Sequence, residues 1–110
     1  MKGKNYLSGT ISTIILAQLK RSDRMYGYEI CQKVKALTQS EIQLTEAAIY
    51  PSLHKLEKEG SIHSSKERVN GRIRKYYHLA PGNEALVDLQ IEELIRFTKN
   101  LQILLNPSKT

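Results

Sequence analysis

Residues 61–79 read SIHSSKERVNGRIRKYYHL, and this stretch predicts a β-hairpin. Asn70-Gly71 lies at its centre, and both residue types tolerate the positive φ angles that a two-residue hairpin turn requires. The flanking segments, residues 61–66 and 72–79, contain the β-branched and aromatic residues that favour strands. In the second strand, alternation places Ile73, Tyr77 and Leu79 on one face, with Lys75 on the same face beyond the edge of the core.

The hairpin carries most of the net positive charge of the chain. The chain has 110 residues and a formal net charge of +6, and residues 66–75 alone contribute +4. Such a balance favours a polyanionic partner, either nucleic acid or an anionic membrane surface. Clustered cations on a hairpin suit the neutralisation of phosphates. The alternative interpretation is a solvated basic hairpin that has no partner.

Three helices are predicted before the hairpin. The third helix begins at Thr45, which can cap it, and ends at Gly60. Pro51 removes one backbone donor inside it, but the apolar stripe continues across Pro51, so we expect one kinked helix. The predicted ranges are 6–20, 26–37 and 45–60.

Three helices followed by a basic hairpin predict an α+β, mainly α fold: a winged helix-turn-helix. In this arrangement the third helix fits the major groove, and the hairpin reaches the phosphate backbone or the minor groove. Glu46 is acidic, so it either caps the helix or reads a cytosine amino group. The candidate DNA contacts of the third helix lie at its start or opposite its apolar stripe: Thr45, Ala47, Tyr50, His54 and Lys55.

A long last helix is predicted for residues 81–105, with Pro81 in its first turn. Leu86 and Leu89 form a second apolar edge, which we expect to pack on the same chain. The alternative to a dimer is one wide apolar face packed within a monomer. Apolar and small residues spaced alternately four and three apart form a heptad seam, which predicts a dimer interface: Val87, Ile91, Leu94, Thr98, Leu101 and Leu105. The expected division is a DNA-binding domain, residues 1–80, and a dimerisation helix, residues 81–110.

Three segments in this order resemble the PadR family of transcriptional regulators, specifically its short-tailed members. The segments are MYGYEI at residues 25–30, TEAAIYPSLHKLEKEG at 45–60 and GRIRKYYHL at 71–79. The resemblance covers most of residues 14–89. This sequence departs from the family pattern at Ala80-Pro81-Gly82, where relatives usually carry a threonine that caps the last helix, and it has no tryptophan.

The resemblance implies a homodimer held by the last helix and repression of a nearby gene or of the chain's own gene. A symmetric dimer is expected to recognise an inverted-repeat DNA site. It also implies release by a small aromatic or drug-like effector. By position, Tyr26, Tyr28 and Tyr50 correspond to the family tyrosines at or near the DNA backbone, although Tyr26 and Tyr28 can equally be packing residues. The basic wing is represented by Arg72, Arg74 and Lys75.

An effector site is predicted between the two subunits, near the first helix. Phe97 is the single phenylalanine, and we expect it to border such a site near Ile15 or Gln18. The alternative is that Phe97 packs in the dimer interface. Two other functions remain open from sequence: a DNA-binding regulator without a ligand, and an adaptor that binds protein through the same face.

Several classes of function are disfavoured by the residues present. No phosphate-binding glycine loop or catalytic pair is evident, so we expect no enzyme. The spacing of His54, His63, His78 and Cys31 fits no zinc pattern, so we expect neither a metal nor another cofactor. A lone cysteine, the lack of a signal peptide and the lack of ~18 consecutive apolar residues predict a cytoplasmic chain with no membrane partner.

Overall fold

The computed structural model of the chain describes residue 7 and residues 9–106. Its helices and strands confirm the winged helix-turn-helix with a long last helix. In chain order they are α1 (Ile11–Arg21), β1 (Met25–Tyr26), α2 (Gly27–Leu37), α3 (Glu46–Lys58), β2 (Ile62–Val69), β3 (Arg72–Leu79) and α4 (Glu84–Leu105).

The sheet is antiparallel, and β3 lies between β1 and β2. Asn70 and Gly71 adopt φ angles of 50° and 79°, so the predicted two-residue turn is present. Because that turn leaves no spare residue, Val69 pairs directly with Arg72, and β2 runs three residues beyond its predicted end. β1 was not predicted: its two residues pair with Tyr77 and Tyr76 of β3, and this pairing moves the start of α2 to Gly27.

The third helix is continuous across Pro51, as the apolar stripe predicted. The backbone N–H of Ala48 donates to the Thr45 hydroxyl at 3.1 Å, which confirms the predicted cap. Proline lacks an N–H, so the carbonyl of Ala47 has no helical donor four residues ahead. The predicted start of the first helix, near Tyr6, lies outside the described residues.

The last helix begins at Glu84, three residues later than predicted. Gly82 has a φ angle of +81°, which a continuous helix does not allow. The Asn83 side-chain amide donates to the carbonyl of Ser61 at 3.1 Å and ties this connection to the segment between α3 and β2. The prediction that Pro81 occupies the first turn was therefore wrong.

The hairpin of β2 and β3 is the wing of the fold. The core lies where the four helices meet the base of this wing. Its fully buried side chains come from every helix and from β2: Ile15, Leu16, Ile30, Ile49, Leu53, Ile62 and Val87. Burial of an aliphatic side chain of this size stabilises the fold by about 1.5–3 kcal/mol. The core thus holds α3 by one face only and leaves its opposite face to solvent.

Two predictions about α4 were reversed. Val87, expected in the dimer seam, is fully buried within the chain, and Ile91 packs against the same core. Leu86 and Leu89, expected to pack on their own chain, are 52% and 54% exposed. Both edges of the helix are apolar, so the sequence pattern did not distinguish which of them faces α1.

Ile73 was predicted on an apolar face, but it is 65% exposed. Its register is as expected, since Tyr77 on the same face of β3 is buried. The hairpin simply extends beyond the core, so Ile73 projects from the distal part of the wing. Nowhere in residue 7 and residues 9–106 is there a helix long and apolar enough to cross a membrane.

Candidate nucleic-acid interface

The exposed face of α3 carries three of the predicted contacts together. Ala47, Tyr50 and His54 are exposed and follow each other at helical spacing, and the Tyr50 ring meets the His54 ring edge-on at 5.0 Å. Thr45 is exposed at the N-terminus, where its hydroxyl already caps the helix. Lys55 is exposed as well, but it borders a groove with α1 and α4 and so lies apart from the other contacts.

The outer face of the wing is stacked on the residues around β1. The guanidinium carbon of Arg24 lies 3.8 Å from the centre of the Tyr76 ring, and that of Arg74 lies 4.1 Å from the centre of the Tyr26 ring. The two tyrosine rings meet edge-on at 5.5 Å. Cation–π contacts of this kind hold a guanidinium in place, and Arg74 also donates one hydrogen bond, from Nη1 to the Tyr76 hydroxyl at 3.4 Å. Arg74 is thereby pre-positioned at the surface.

Tyr26 and Tyr28 differ in their surroundings. Tyr26 is half-buried between Tyr76 and Arg74, and its backbone N–H donates to the Glu29 carboxylate at 3.2 Å. Tyr28 is half exposed, with its ring 6.5 Å from that of Tyr26. Tyr26 is therefore mainly a packing residue, whereas about half of the Tyr28 side chain is accessible for a contact with DNA.

Ion pairs neutralise some of the wing charges and leave others available. Glu67, the one acid in residues 66–75, pairs with Arg24 at 2.6 Å. Lys75 pairs with Glu57 of α3 at 3.2 Å, so its ammonium is occupied. Lys66, Arg68 and Arg72 make no ion pair with any other residue that the structure describes. The unpaired cations of the wing thus extend from the Lys75 step outward to the tip.

A cleft of about 240 Å³ separates α3 from the wing. Tyr50 lies on its α3 side, and Ile73 and Arg74 lie on its wing side. The side chains suited to contact bases and those suited to contact phosphates therefore border one surface. Arg24, Glu57 and Tyr76 were missed by sequence reasoning because their partners are distant in the chain or lie in the unpredicted strand β1.

The predicted effector residues are not brought together. A second cavity, of about 220 Å³, lies between α1 and α4, and Gln18 lines it. The Gln18 Oε1 atom is buried and has no hydrogen-bond partner in the described part of the chain. Ile15 is fully buried in the core and Phe97 is 58% exposed, and neither lines the cavity.

The predicted dimer seam changes character along α4. After Val87 and Ile91, Leu94 is half-buried, whereas Thr98, Leu101 and Leu105 are exposed. Ile95 and Leu104 add to this exposed apolar surface. The second half of the helix therefore presents large apolar side chains to solvent in a single chain.

Residue 7 and residues 9–106 contain no group of three or more His, Cys, Asp or Glu side chains arranged to hold a metal ion. His63 and His78 face each other across the wing with ring centres 5.8 Å apart. Cys31 is buried, and burial raises the pKa of its thiol, with the nearby Glu46 carboxylate adding to the effect. A thiol of this kind is a poor nucleophile.

Comparison with known proteins gives one consistent result. The sequence pattern of the transcriptional regulator PadR-like family matches residues 15–88. An uncharacterised protein from Lysinibacillus sphaericus is 32% identical over 94 residues, which cover 84% of this chain and 85% of that protein.

Solved structures agree with this result. A transcriptional regulator from Clostridium thermocellum superimposes with a TM-score of 0.76 at 27% identity, over 90% of this chain and 93% of that one. Bacillus subtilis PadR, solved in complex with operator DNA, superimposes with a TM-score of 0.64 at 23% identity, over 73% of this chain and 45% of PadR. The chain belongs to the PadR-like family of transcriptional regulators.

Proposed function

We propose that the chain is a sequence-specific DNA-binding repressor that acts as a homodimer. The observation that carries this proposal is the cleft between α3 and the wing, which Tyr50 borders on one side and Arg74 on the other. A helix in the major groove and a cationic hairpin on the flanking backbone use such a surface simultaneously. The operator complex of Bacillus subtilis PadR, which has the same fold, supports this mode of binding.

The dimer is supported by the second half of α4. The helix has 22 residues, a length of about 33 Å, and its buried or half-buried apolar side chains end at Leu94. Leu104 and Leu105, each 75% exposed, lie beyond that point. Contiguous exposed apolar surface of this kind marks an interaction site. A second copy of α4 would cover it, and a symmetric dimer would place two α3 helices for an inverted repeat.

The effector is supported by the cavity between α1 and α4. It is large enough for a small aromatic molecule and is bordered by Leu94 and Thr98 of the seam. Gln18 lines this cavity, and its buried Oε1 atom has no hydrogen-bond partner in the described part of the chain, so a donor on a bound molecule would displace no existing bond if it reached that atom. A ligand there would change the packing of α4 on α1 and with it the separation of the two α3 helices. It would then favour a dimer geometry that no longer matches the operator.

The test is a titration of the protein with its own upstream DNA region and with scrambled DNA of equal length, at physiological salt. We expect the upstream site to bind about 10³-fold more tightly or better. Equal binding to both DNAs, lost together as salt rises, would contradict sequence-specific regulation at that site and would favour a protein-binding role for the same surface.

A further inference from the structure

Glu57 joins the recognition helix to both strands of the wing. It lies in the last turn of α3 and is half-buried. One carboxylate oxygen, Oε2, accepts a hydrogen bond from the Ser64 hydroxyl of β2. The other, Oε1, accepts one from the Lys75 ammonium of β3 at 3.2 Å. No other side-chain hydrogen bond or ion pair connects α3 to the wing among the residues that the structure describes.

These contacts lie where the inner face of the wing leaves the core. Ile62 and Tyr77, nearer the base, are buried. Ser64 pairs across the strands with Tyr77, and Lys75 pairs with Lys66, so Glu57 contacts the hairpin at the Tyr77 step and at the next step outward. Ile73, one step further out on the same face, is 65% exposed. Packing therefore holds the base of the wing, and the Glu57 carboxylate holds the point beyond it.

The Glu57 carboxylate and the Lys75 ammonium stabilise each other in their charged forms. The hydrogen bond from Ser64 and the nearby Lys75 hold the pKa of Glu57 below its usual value, against a smaller opposing effect of partial burial. Partial burial lowers the pKa of Lys75, but the hydrogen bond to Glu57 and the neighbouring charges outweigh it and raise the pKa overall. Both groups are charged at neutral pH, and Lys75 has its closest anion in Glu57.

We propose that Glu57 is a positioning residue that sets the angle of the wing against the recognition helix, and that Lys75 acts through Glu57 instead of on a DNA phosphate. The inference rests on the proposed function, because the angle matters only if α3 and the wing contact one DNA molecule together. From Lys75 to the turn at Gly71 the wing extends roughly 13 Å. A rotation of about 10° at Glu57 would move the tip by roughly 2 Å, which is more than a hydrogen bond tolerates.

The positioning role has a test that needs no DNA. Amide hydrogen exchange is measured at neutral pH on the full chain and on Glu57→Gln. Glu59→Gln is the matched control, because Glu59 is exposed two residues further along and the change removes the same charge. We expect wing amides in residues 64–75 to exchange about tenfold faster in Glu57→Gln and unchanged in Glu59→Gln. Unchanged exchange in Glu57→Gln would overturn the proposal.

The role of Lys75 is tested with DNA of scrambled sequence and with the upstream site. In Glu57→Gln, Lys75 is released, so the slope of log K against log salt should steepen by about 0.9 on either DNA, the value for one additional phosphate contact. Specificity, the ratio of the two affinities, should fall about tenfold. Adding Lys75→Met to Glu57→Gln should return the slope to that of the unmodified chain. The control Glu59→Gln should leave the ratio unchanged.

Two results would contradict this second part. If Lys75→Met alone flattens the slope of log K against log salt by about 0.9 relative to the unmodified chain, Lys75 contacts a phosphate. An equal loss of specificity in Glu57→Gln and Glu59→Gln would make Glu57 an ordinary surface charge. Failure of the unmodified chain to prefer the upstream site would refute the proposed function, yet the exchange experiment would still decide whether Glu57 holds the wing.

Discussion

The wing and the second half of α4 both extend beyond the core, and they do so with opposite chemistry. The wing carries the unpaired cations Lys66, Arg68 and Arg72 beyond the core, and polar contacts tie it to Glu57 of α3 and to Arg24, which precedes β1. The end of α4 carries exposed leucines. A projecting cationic hairpin is stable in water without a partner, whereas a projecting row of leucines is costly. The two regions therefore indicate two different partners, DNA for the wing and a second chain for α4.

The largest expected effect separates the two halves of α4. Val87→Lys places a charge in the core, and we expect it to destabilise the fold by at least about 3–5 kcal/mol, a large share of the stability of a small domain. Thermal unfolding followed by circular dichroism would measure this. A variant that melts near the unmodified chain would show that Val87 is not a core residue.

The dimer prediction concerns the seam residues that lie two heptads or more beyond Val87. Leu101→Lys combined with Leu105→Lys should give a folded monomer in analytical sedimentation, because both side chains are exposed in one chain. Retention of the helical circular dichroism signal is the control for folding. A dimer that persists would move the interface away from this part of α4.

Removal of Arg74, a wing cation that makes no ion pair with any described residue, should have a smaller effect, and only on DNA binding. Arg74→Ala should weaken binding to every DNA sequence by about three- to tenfold and flatten the slope of log K against log salt by about 0.9. Sedimentation should be unaffected, which distinguishes the wing from α4. An unchanged salt slope would argue against a phosphate contact by Arg74.

Tyr50→Ala tests the α3 side of the cleft. The side chain is 53% exposed, so we expect lower affinity for the upstream site with a melting temperature within a few degrees of the unmodified chain. Titration with upstream and scrambled DNA, alongside a melting curve, measures both. Unfolding on this substitution would make Tyr50 a structural residue.

The smallest effect is on the pH dependence of stability. The hydrogen bond from Ser64, together with Lys75, holds the pKa of Glu57 below its usual value, so this group stabilises the fold at neutral pH. The contribution is lost as the pH falls from the usual glutamate value through the lowered one. In Glu57→Gln, denaturant unfolding should lose less stability between neutral and acidic pH, by no more than about 1 kcal/mol. Identical pH profiles would show that the ionised Glu57 adds nothing.

The local part of the fold was predictable, and the long-range part was not. Asn70-Gly71 fixed the hairpin and Thr45 the start of α3, because a turn and a cap depend on residues near in sequence. β1 was missed because two residues form no pattern. The rotation of α4 was missed because Leu86 and Leu89 are as apolar as Val87 and Ile91, and only packing on α1 chose between them.

The candidate site followed the same division. Ala47, Tyr50 and His54 share an exposed face because helical spacing places them there, as predicted. The pairing of Lys75 with Glu57 spans 18 residues and depends on how the wing meets α3, which no spacing rule supplies. The same is true of Arg24 on Tyr76, because β1 brings them together.

The comparison of the two projections is tested most directly by photocrosslinking with p-benzoylphenylalanine. One variant replaces Ile73 in the wing and another replaces Leu104 in α4, both exposed positions, and each is irradiated with its upstream duplex. We predict that the probe at position 73 crosslinks to DNA and that the probe at position 104 crosslinks to a second copy of the chain. A probe at position 73 that captures protein, or one at position 104 that captures DNA, would contradict the account.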